Sequence, residues 1–494
     1  MLLLFLLLPL AAVLAMIVAP AGPWPRRLAL VIPGLQLLLM VRMAVQPAAD
    51  LRLEWLPQLG LDFHLGQDGL SLPLVGLTAL LTLMTIAATS REMPRQRLFF
   101  GLVLATNLGL QWAFLARNGL LFVIAFELIL IPTTMLIAIY GHERSRQAAI
   151  RYLLYGAVSG VALLSAVLAL GLLNANGFSL AYDDMATAAL PQGSRVWILG
   201  LLVLAFGLKL PAVPLHGWQP LAYSESSSPV AMLLAGAVSK LGAYGLLRFG
   251  VGFMGETWEA WAPLIALAGT AGAVYGALNA IAQTDMRRLV AYSSLGHMGL
   301  LVLALAAATP LSLQGAVAQV LAHGVISSLL FCVVGLIEAK TGTTEIAELS
   351  GLLNPLRGLP FTLGMFLLAL MAAAGLPGMV GFVAELVVFQ GSWSVFPLPT
   401  LGCLFASGLT AVYAIRLFNR VGFGKLDNAK ASYPATTWPE RLPALVLSAL
   451  VLVGGLWPPL TLGWSESVTT PLARHQPLIA SLPAASSILQ ELHS

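Results

Sequence analysis

The sequence predicts an all-α integral membrane protein of about 14 transmembrane helices, built as two inverted five-helix repeats with two broken helices. Three observations carry this. Of 494 residues, 59% are hydrophobic and 9% charged, whereas a soluble domain carries about 25% charged residues. The apolar residues form runs of about 20, the length that spans a bilayer. Lys and Arg accumulate on alternate loops.

The runs lie near 1–19, 28–45, 69–89, 98–115, 119–139, 151–173, 195–215, 229–249, 260–283, 288–308, 313–338, 359–390, 398–420 and 441–460. A secretory leader places basic residues before its apolar stretch; here Arg26 and Arg27 follow it, so the first run is read as a retained helix. The connecting loops are short, and none is long enough for a separate soluble domain. The predicted segments are 1–97 (three helices), 98–250 and 251–425 (five-helix repeats) and 426–494 (last helix and tail).

Orientation follows the basic residues, which favour the cytoplasmic side. The odd-numbered loops hold 17 of the 25 Lys and Arg and the even-numbered loops 6; Lys209 and Lys240 lie inside spans. Odd loops, including Lys430, are therefore expected on the cytoplasmic side and both termini on the opposite side. No basic patch suggests nucleic acid. Cys332 and Cys403 sit in apolar runs without metal-ligand or disulfide spacing and read as core residues.

Four charges fall inside spans: Glu127, Lys209, Lys240 and Glu385. A central charge costs about 2.5–3.5 kcal/mol on insertion scales, so four cost on the order of 10 kcal/mol. Two structural salt bridges would be the bland account, but buried pairs stabilise weakly against apolar replacements. The functional account is a proton path. Lys209 precedes Pro211 and Pro214, and Glu385 follows Gly375, Pro377, Gly378 and Gly381. Breaks at membrane depth free backbone groups for protein or water. His216, His297 and His323 are further relay candidates, each equally well read as a packing histidine; Gln283, Ser293, Ser294, Ser327 and Ser328 suit a water wire. Spans four to eight and nine to thirteen correspond, the fourth of each set being the broken one, which is the pattern of an inverted repeat.

Phe126–Glu127–Leu128, Lys209 beside its break, Leu234–Ala235–Gly236 with Lys240–Leu241–Gly242–Ala243–Tyr244–Gly245, and Gln283–Thr284–Asp285–Met286–Arg287–Arg288 continuing to His297–Met298–Gly299 resemble the proton-pumping, antiporter-like membrane subunits of complex I. Mrp-type sodium/proton antiporter subunits share the architecture. Glu385, where most relatives carry Lys, resembles the cyanobacterial and chloroplast chain 4 branch.

The resemblance implies a proton-translocating subunit of an NAD(P)H- or ferredoxin-fed plastoquinone oxidoreductase in the thylakoid membrane, or otherwise a bacterial inner membrane. It implies no cofactor in this chain. NAD(P)H or ferredoxin, iron–sulfur clusters and plastoquinone would be handled elsewhere in the complex, and the partners would be its other membrane-arm and peripheral-arm subunits. It further implies that Glu127 tunes Lys209, that Lys209 and Lys240 relay a proton laterally, and that Glu385 exchanges it with the far side. One motif departs: Gln219, Leu221 and Tyr223 stand where the family usually has Leu, Asp and His. That leaves open a paralogue from a complex specialised for carbon dioxide uptake, beside the Mrp-type alternative.

Overall fold

Lipid offers no hydrogen-bond partner to a peptide group, so apolar runs of this length close their backbone bonds internally as helices. The computed structural model describes residues 1–18, 22–56, 58, 61–426 and 433–474; Lys430 and the tail beyond 474 lie outside them. Two helices, α1 (Leu2–Val18) and α2 (Trp24–Val45), open the chain. A hairpin of β1 (Leu51–Leu56) and β2 (Leu61–Leu65) then leads into α3 (Ser71–Ala88) and α4 (Gln96–Leu115). Next come α5 (Gly119–Leu128), α6 (Leu130–Tyr140), α7 (Ser145–Leu172), α8 (Tyr182–Ala186), α9 (Gln192–Lys209), α10 (Gln219–Glu225) and α11 (Ser228–Leu233). A π-helical turn (Leu234–Val238) joins α11 to α12 (Lys240–Gly245), and a second (Leu246–Phe253) follows it. The chain continues through α13 (Gly255–Ile281), α14 (Met286–Ala307), α15 (Pro310–Thr341), α16 (Pro360–Ala373), α17 (Val380–Trp393), α18 (Pro397–Gly422) and α19 (Trp438–Leu456). Two short helices, α20 (Pro459–Leu462) and α21 (Glu466–Leu472), follow.

Among the described residues, 12 helical stretches are long and apolar enough to cross a membrane; α1, α16 and α17 are apolar but shorter. The hairpin corrects the all-α expectation. Its residues alternate, Leu51–Arg52–Leu53–Glu54–Trp55 against Leu61–Asp62–Phe63–His64–Leu65, which is a strand period, and Arg52 pairs across to Asp62 at 2.7 Å.

Helices pack closely where small residues face each other. A Cβ on Gly276 of α13 would collide with Gly296 N of α14, and one on Gly299 would collide with Ala273 N. Small residues let membrane helices touch backbone to backbone, where dispersion rather than the hydrophobic effect holds them. Loop contacts fall into two sets. In one, Asp68 takes Arg117 at 3.1 Å and also Arg248, Arg195 meets Glu256 at 2.6 Å, and Arg474 N donates to Ala308 O. In the other, Arg26 reaches Thr89 O, Arg144 meets Glu225, Arg287 meets Glu338, and Lys340 meets Glu440 at 2.8 Å.

Candidate proton-transfer site

Glu127, Lys209 and Lys240 sit where the regular helix is interrupted, and Glu385, within α17, turns its carboxylate toward Gly375 in the break before it. Pro132 has no N–H to give the Leu128 carbonyl, and the fifth span divides there into α5 and α6, one residue beyond Glu127. Pro211 likewise leaves the Gly207 carbonyl without its helical donor; Ala212 N takes it at 2.8 Å, and α9 stops at Lys209. At 234–238 the backbone widens: Ser239 N reaches back five residues to Leu234 O at 3.1 Å. The Ala235 carbonyl then accepts from Ser239 Oγ at 3.1 Å and from Lys240 Nζ at 3.0 Å. π-turns inside α-helices are frequent at functional positions.

Lys240 is fully buried, and its ammonium lies 2.6 Å from His323 Nδ1. The ring of His323 stands 5.6 Å from that of His297, centroid to centroid. His297 Nδ1 lies 2.8 Å from Ser293 O and Nε2 lies 3.0 Å from Ala373 O. Ala373 ends α16, and the residue that would have capped its carbonyl is Pro377, which has no N–H. Carbonyls only accept, so both ring nitrogens are satisfied when each carries a hydrogen. Glu385 Oε1 lies 3.5 Å from His297 Nε2, and Glu385 Oε2 accepts from Ser407 Oγ at 2.6 Å. Lys240, His323, His297 and Glu385 thus form one file across α12, α15, α14 and α17. A cavity of about 10 Å³ runs beside it, lined by Ser293, Ser294, Gln319 and Ser327 with both histidines and Glu385. That is room for about one water.

Lys209 is buried against aromatic faces, its ammonium 4.8 Å from the Phe126 ring and 5.8 Å from the Tyr152 ring. Among the described residues it makes no ion pair within 4.0 Å. Glu127, half-buried, lies over Gly160 of α7, where a Cβ would collide with its Oε1. Among the described residues the pairwise salt bridges of the bland account are not formed within 4.0 Å, although Glu127 feels the charge of Lys209, and Glu385 faces a histidine. The end of α9 abuts α12, since a Cβ on Gly242 would sit 2.5 Å from Leu210 N.

His216 lies apart from the file. Its ring stacks edge-on with Tyr275 at 4.9 Å, and it lines an open groove of about 360 Å³ with Arg151 and Arg288. The departing residues are built into the fold. Gln219 Nε2 donates to Ala291 O at 2.9 Å, tying α10 to α14, and Tyr223 OH donates to Leu234 O at 3.3 Å, beside the π-turn. Of the serines, Ser328 points elsewhere, to Met232 O. Gln283 bonds Asn279 O and lines an open groove of about 570 Å³ with Arg416, Arg420 and Tyr413. Tyr413 OH donates to Ser293 Oγ at 2.6 Å, so one hydrogen bond separates that groove from the inner cavity. Tyr413 carries no sequence signal, being one aromatic in an apolar run. Among the described residues, no group of three His, Cys, Asp or Glu suits a metal ion. The chemistry this arrangement can perform with its own side chains is proton transfer.

Comparison with known proteins fits this geometry. The family described as NADH:quinone oxidoreductase/Mrp antiporter, transmembrane, matches residues 116–410. A relative from Synechococcus sp. (strain JA-3-3Ab), NAD(P)H-quinone oxidoreductase chain 4 1, is 35% identical over 487 residues, 94% of this chain and 91% of its own. A chain of respiratory complex I from Thermus thermophilus superposes with a TM-score of 0.88 at 27% identity, covering 96% of this chain and 99% of that one. A chain of the Mrp complex from Dietzia sp. DQ12-45-1b shares the fold, with a TM-score of 0.83 at 24% identity, covering 94% of this chain and 52% of that one.

Proposed function

The chain belongs to the NADH:quinone oxidoreductase/Mrp antiporter transmembrane family, and from that premise we propose that it is the proton-translocating chain 4 subunit of an NAD(P)H-quinone oxidoreductase. Redox chemistry is done in other subunits, with NAD(P)H or ferredoxin as donor and plastoquinone as acceptor, in a thylakoid membrane. Its partners are the neighbouring membrane-arm subunits and, through them, the peripheral arm.

The observation that carries this is the file from Lys240 to Glu385. An ammonium donating to His323 Nδ1 is placed to pass its proton when the lysine is no longer favoured as a cation. His297, with a hydrogen on each nitrogen, first releases one to Glu385, and the vacated nitrogen then takes the proton that the His323 imidazole hands on. Glu385 releases the proton it received to the far side. Lys209 feeds Lys240 through the contact of α9 with α12, and Glu127, free of an ion pair, biases Lys209 by its own charge. Fourteen spans follow if α1 crosses and α16 with α17 make one interrupted crossing; the interrupted members bearing Lys209 and Glu385 then correspond in two inverted repeats. The two sets of loop contacts support that threading, with the set of Arg26, Arg144, Arg287 and Lys340 on the cytoplasmic side.

Exchange of sodium for protons, the Mrp-type alternative, is disfavoured by the narrow cavity and by Glu385. The carbon dioxide-uptake paralogue rests on Gln219, Leu221 and Tyr223. The test is Glu385→Gln in the intact complex, in sealed vesicles energised through the quinone reductase. The amide carries no proton, so pumping per electron is expected to fall while subunit composition stays unchanged. Wild-type pumping by that variant sinks the proposed exit.

A further inference from the structure

A second site lies far in sequence from the proton file. Arg26 and Arg27 at the start of α2 face Arg91 and Arg95 of the loop between α3 and α4, and Arg97 in the first turn of α4, across a groove of about 980 Å³. Five like charges in one groove repel, and a protein normally offsets them with carboxylates. Here none of the five makes an ion pair within 4.0 Å among the described residues, and Glu92 of the same loop is exposed and unpaired with them. Arg26 is held inward, donating to Thr89 O at 2.7 Å and Ala87 O at 2.9 Å, so its charge is fixed at the groove floor. The other four are exposed.

What continues below the groove identifies the occupant. Arg27, Val31, Leu35 and Leu38 recur at helical spacing on the outward face of α2 and are all exposed; Leu38 is 69% exposed. Trp24, 60% exposed, stands at the rim, the place aromatic residues take at a membrane–water interface. The groove is thus a cationic cup at one end of an exposed apolar track. A free inorganic anion would use the cup and leave the track bare. Guanidinium forks match tetrahedral anionic oxygens with paired hydrogen bonds, and basic pockets at the ends of membrane helices bind anionic head groups.

We propose that this groove is a binding site for one anionic glycerolipid, its phosphate or sulfonate head group held by Arg27, Arg91, Arg95 and Arg97 and its acyl chains lying along Val31, Leu35 and Leu38. Arg26 positions the cup from beneath. The lipid supplies the negative charge that the polypeptide omits and covers a helix face otherwise bare.

The test uses the whole purified complex in phosphatidylcholine nanodiscs with a trace of photoactivatable phosphatidylglycerol, followed by peptide mapping. Label is expected on the 22–38 and 91–98 segments, several-fold above that from a photoactivatable phosphatidylcholine. It should survive added inorganic phosphate matched in ionic strength to a sodium chloride control. The triple variant Arg27→Gln, Arg95→Gln, Arg97→Gln should lose the phosphatidylglycerol preference, and the corresponding triple Lys variant should keep most of it. Equal labelling by the two lipids in the unmutated complex overturns the proposal. So does displacement of the label by inorganic phosphate alone, which would make the groove a free-anion site. Neither result requires a variant that folds.

Discussion

At the scale of single residues, the chain places its titratable groups against carbonyls, hydroxyls and ring nitrogens. His297 lies between two carbonyls, Lys240 donates to a ring nitrogen and two oxygens, and Glu385 accepts from a hydroxyl. Tyr413 is the least conspicuous member and the most exposed to test. Its hydroxyl joins the outer groove at Arg416 to the serines of the inner cavity. Tyr413→Phe keeps the ring and removes the link. Positioned proton donors contribute about 10²–10⁴-fold, so proton delivery should slow by about 10²-fold if this is the entry, with assembly and quinone reduction sites intact. Stopped-flow proton uptake by energised vesicles measures it, and an unchanged rate removes Tyr413 from the path. Lys209, Lys240 and Glu385 stand out in the sequence because a charge in lipid needs a reason. His216 and His297 look alike there, since nothing in an apolar run says which histidine faces a cavity.

At the scale of helices, the breaks at Lys209 and Glu385 were legible because proline and glycine mark them. The π-turns around Lys240 were not: Leu234–Ala235–Gly236–Ala237–Val238 contains no proline and a single glycine, which close packing against α15 also requires. A Cβ on Gly236 would collide with Ser328 Oγ of α15. The hairpin was legible in its alternation but overshadowed by the apolar runs around it. The break at Pro377 has a use that can be tested directly. Pro377→Ala returns an N–H able to bond the Ala373 carbonyl, which His297 Nε2 now occupies. The variant should be as stable as the parent or slightly more so, yet pump less. Thermal unfolding and dye quenching on the same preparation separate the two effects. Pumping at the parental level would show that the carbonyl is not needed by His297.

At the scale of the molecule, Asp68 fastens the N-terminal helices to the rest. Its Oδ1 accepts from Leu70 N and Ser71 N at the start of α3, while Arg117 and Arg248 converge on Oδ2. Burial opposes its ionised form, yet Arg248 and Arg117 hold its carboxyl well below the usual carboxylate range. A depressed value gives stability that is complete above the unfolded carboxylate range and lost only as pH falls through the lowered folded value. This contact should therefore not vary between about pH 5 and pH 8. Asp68→Asn leaves two arginines with no anion and should cost about 3–5 kcal/mol, read as a lower unfolding temperature of the chain within the complex. An undiminished unfolding temperature would remove Asp68 as a fastener. The threading is checked by single cysteines introduced near Arg287 and near Leu311, labelled from either side of sealed vesicles. Label should reach the first from the cytoplasmic side only and the second from the opposite side only; access to both from one side contradicts fourteen crossings.

The narrowness of the space beside the file has a consequence of its own. A proton needs only a succession of donors and acceptors, each within reach of the next, and never travels as a particle of any size. A sodium ion needs several oxygens around it at every point. About 10 Å³ of room between His297, His323 and Glu385 holds about one water, too little for an ion that keeps even part of its hydration. As a proposed proton path, the file would pass one cation and exclude the rest. On that proposal a membrane charged to 100 mV, which pulls on any unit charge with about 2.3 kcal/mol, would discharge here only by the proton route.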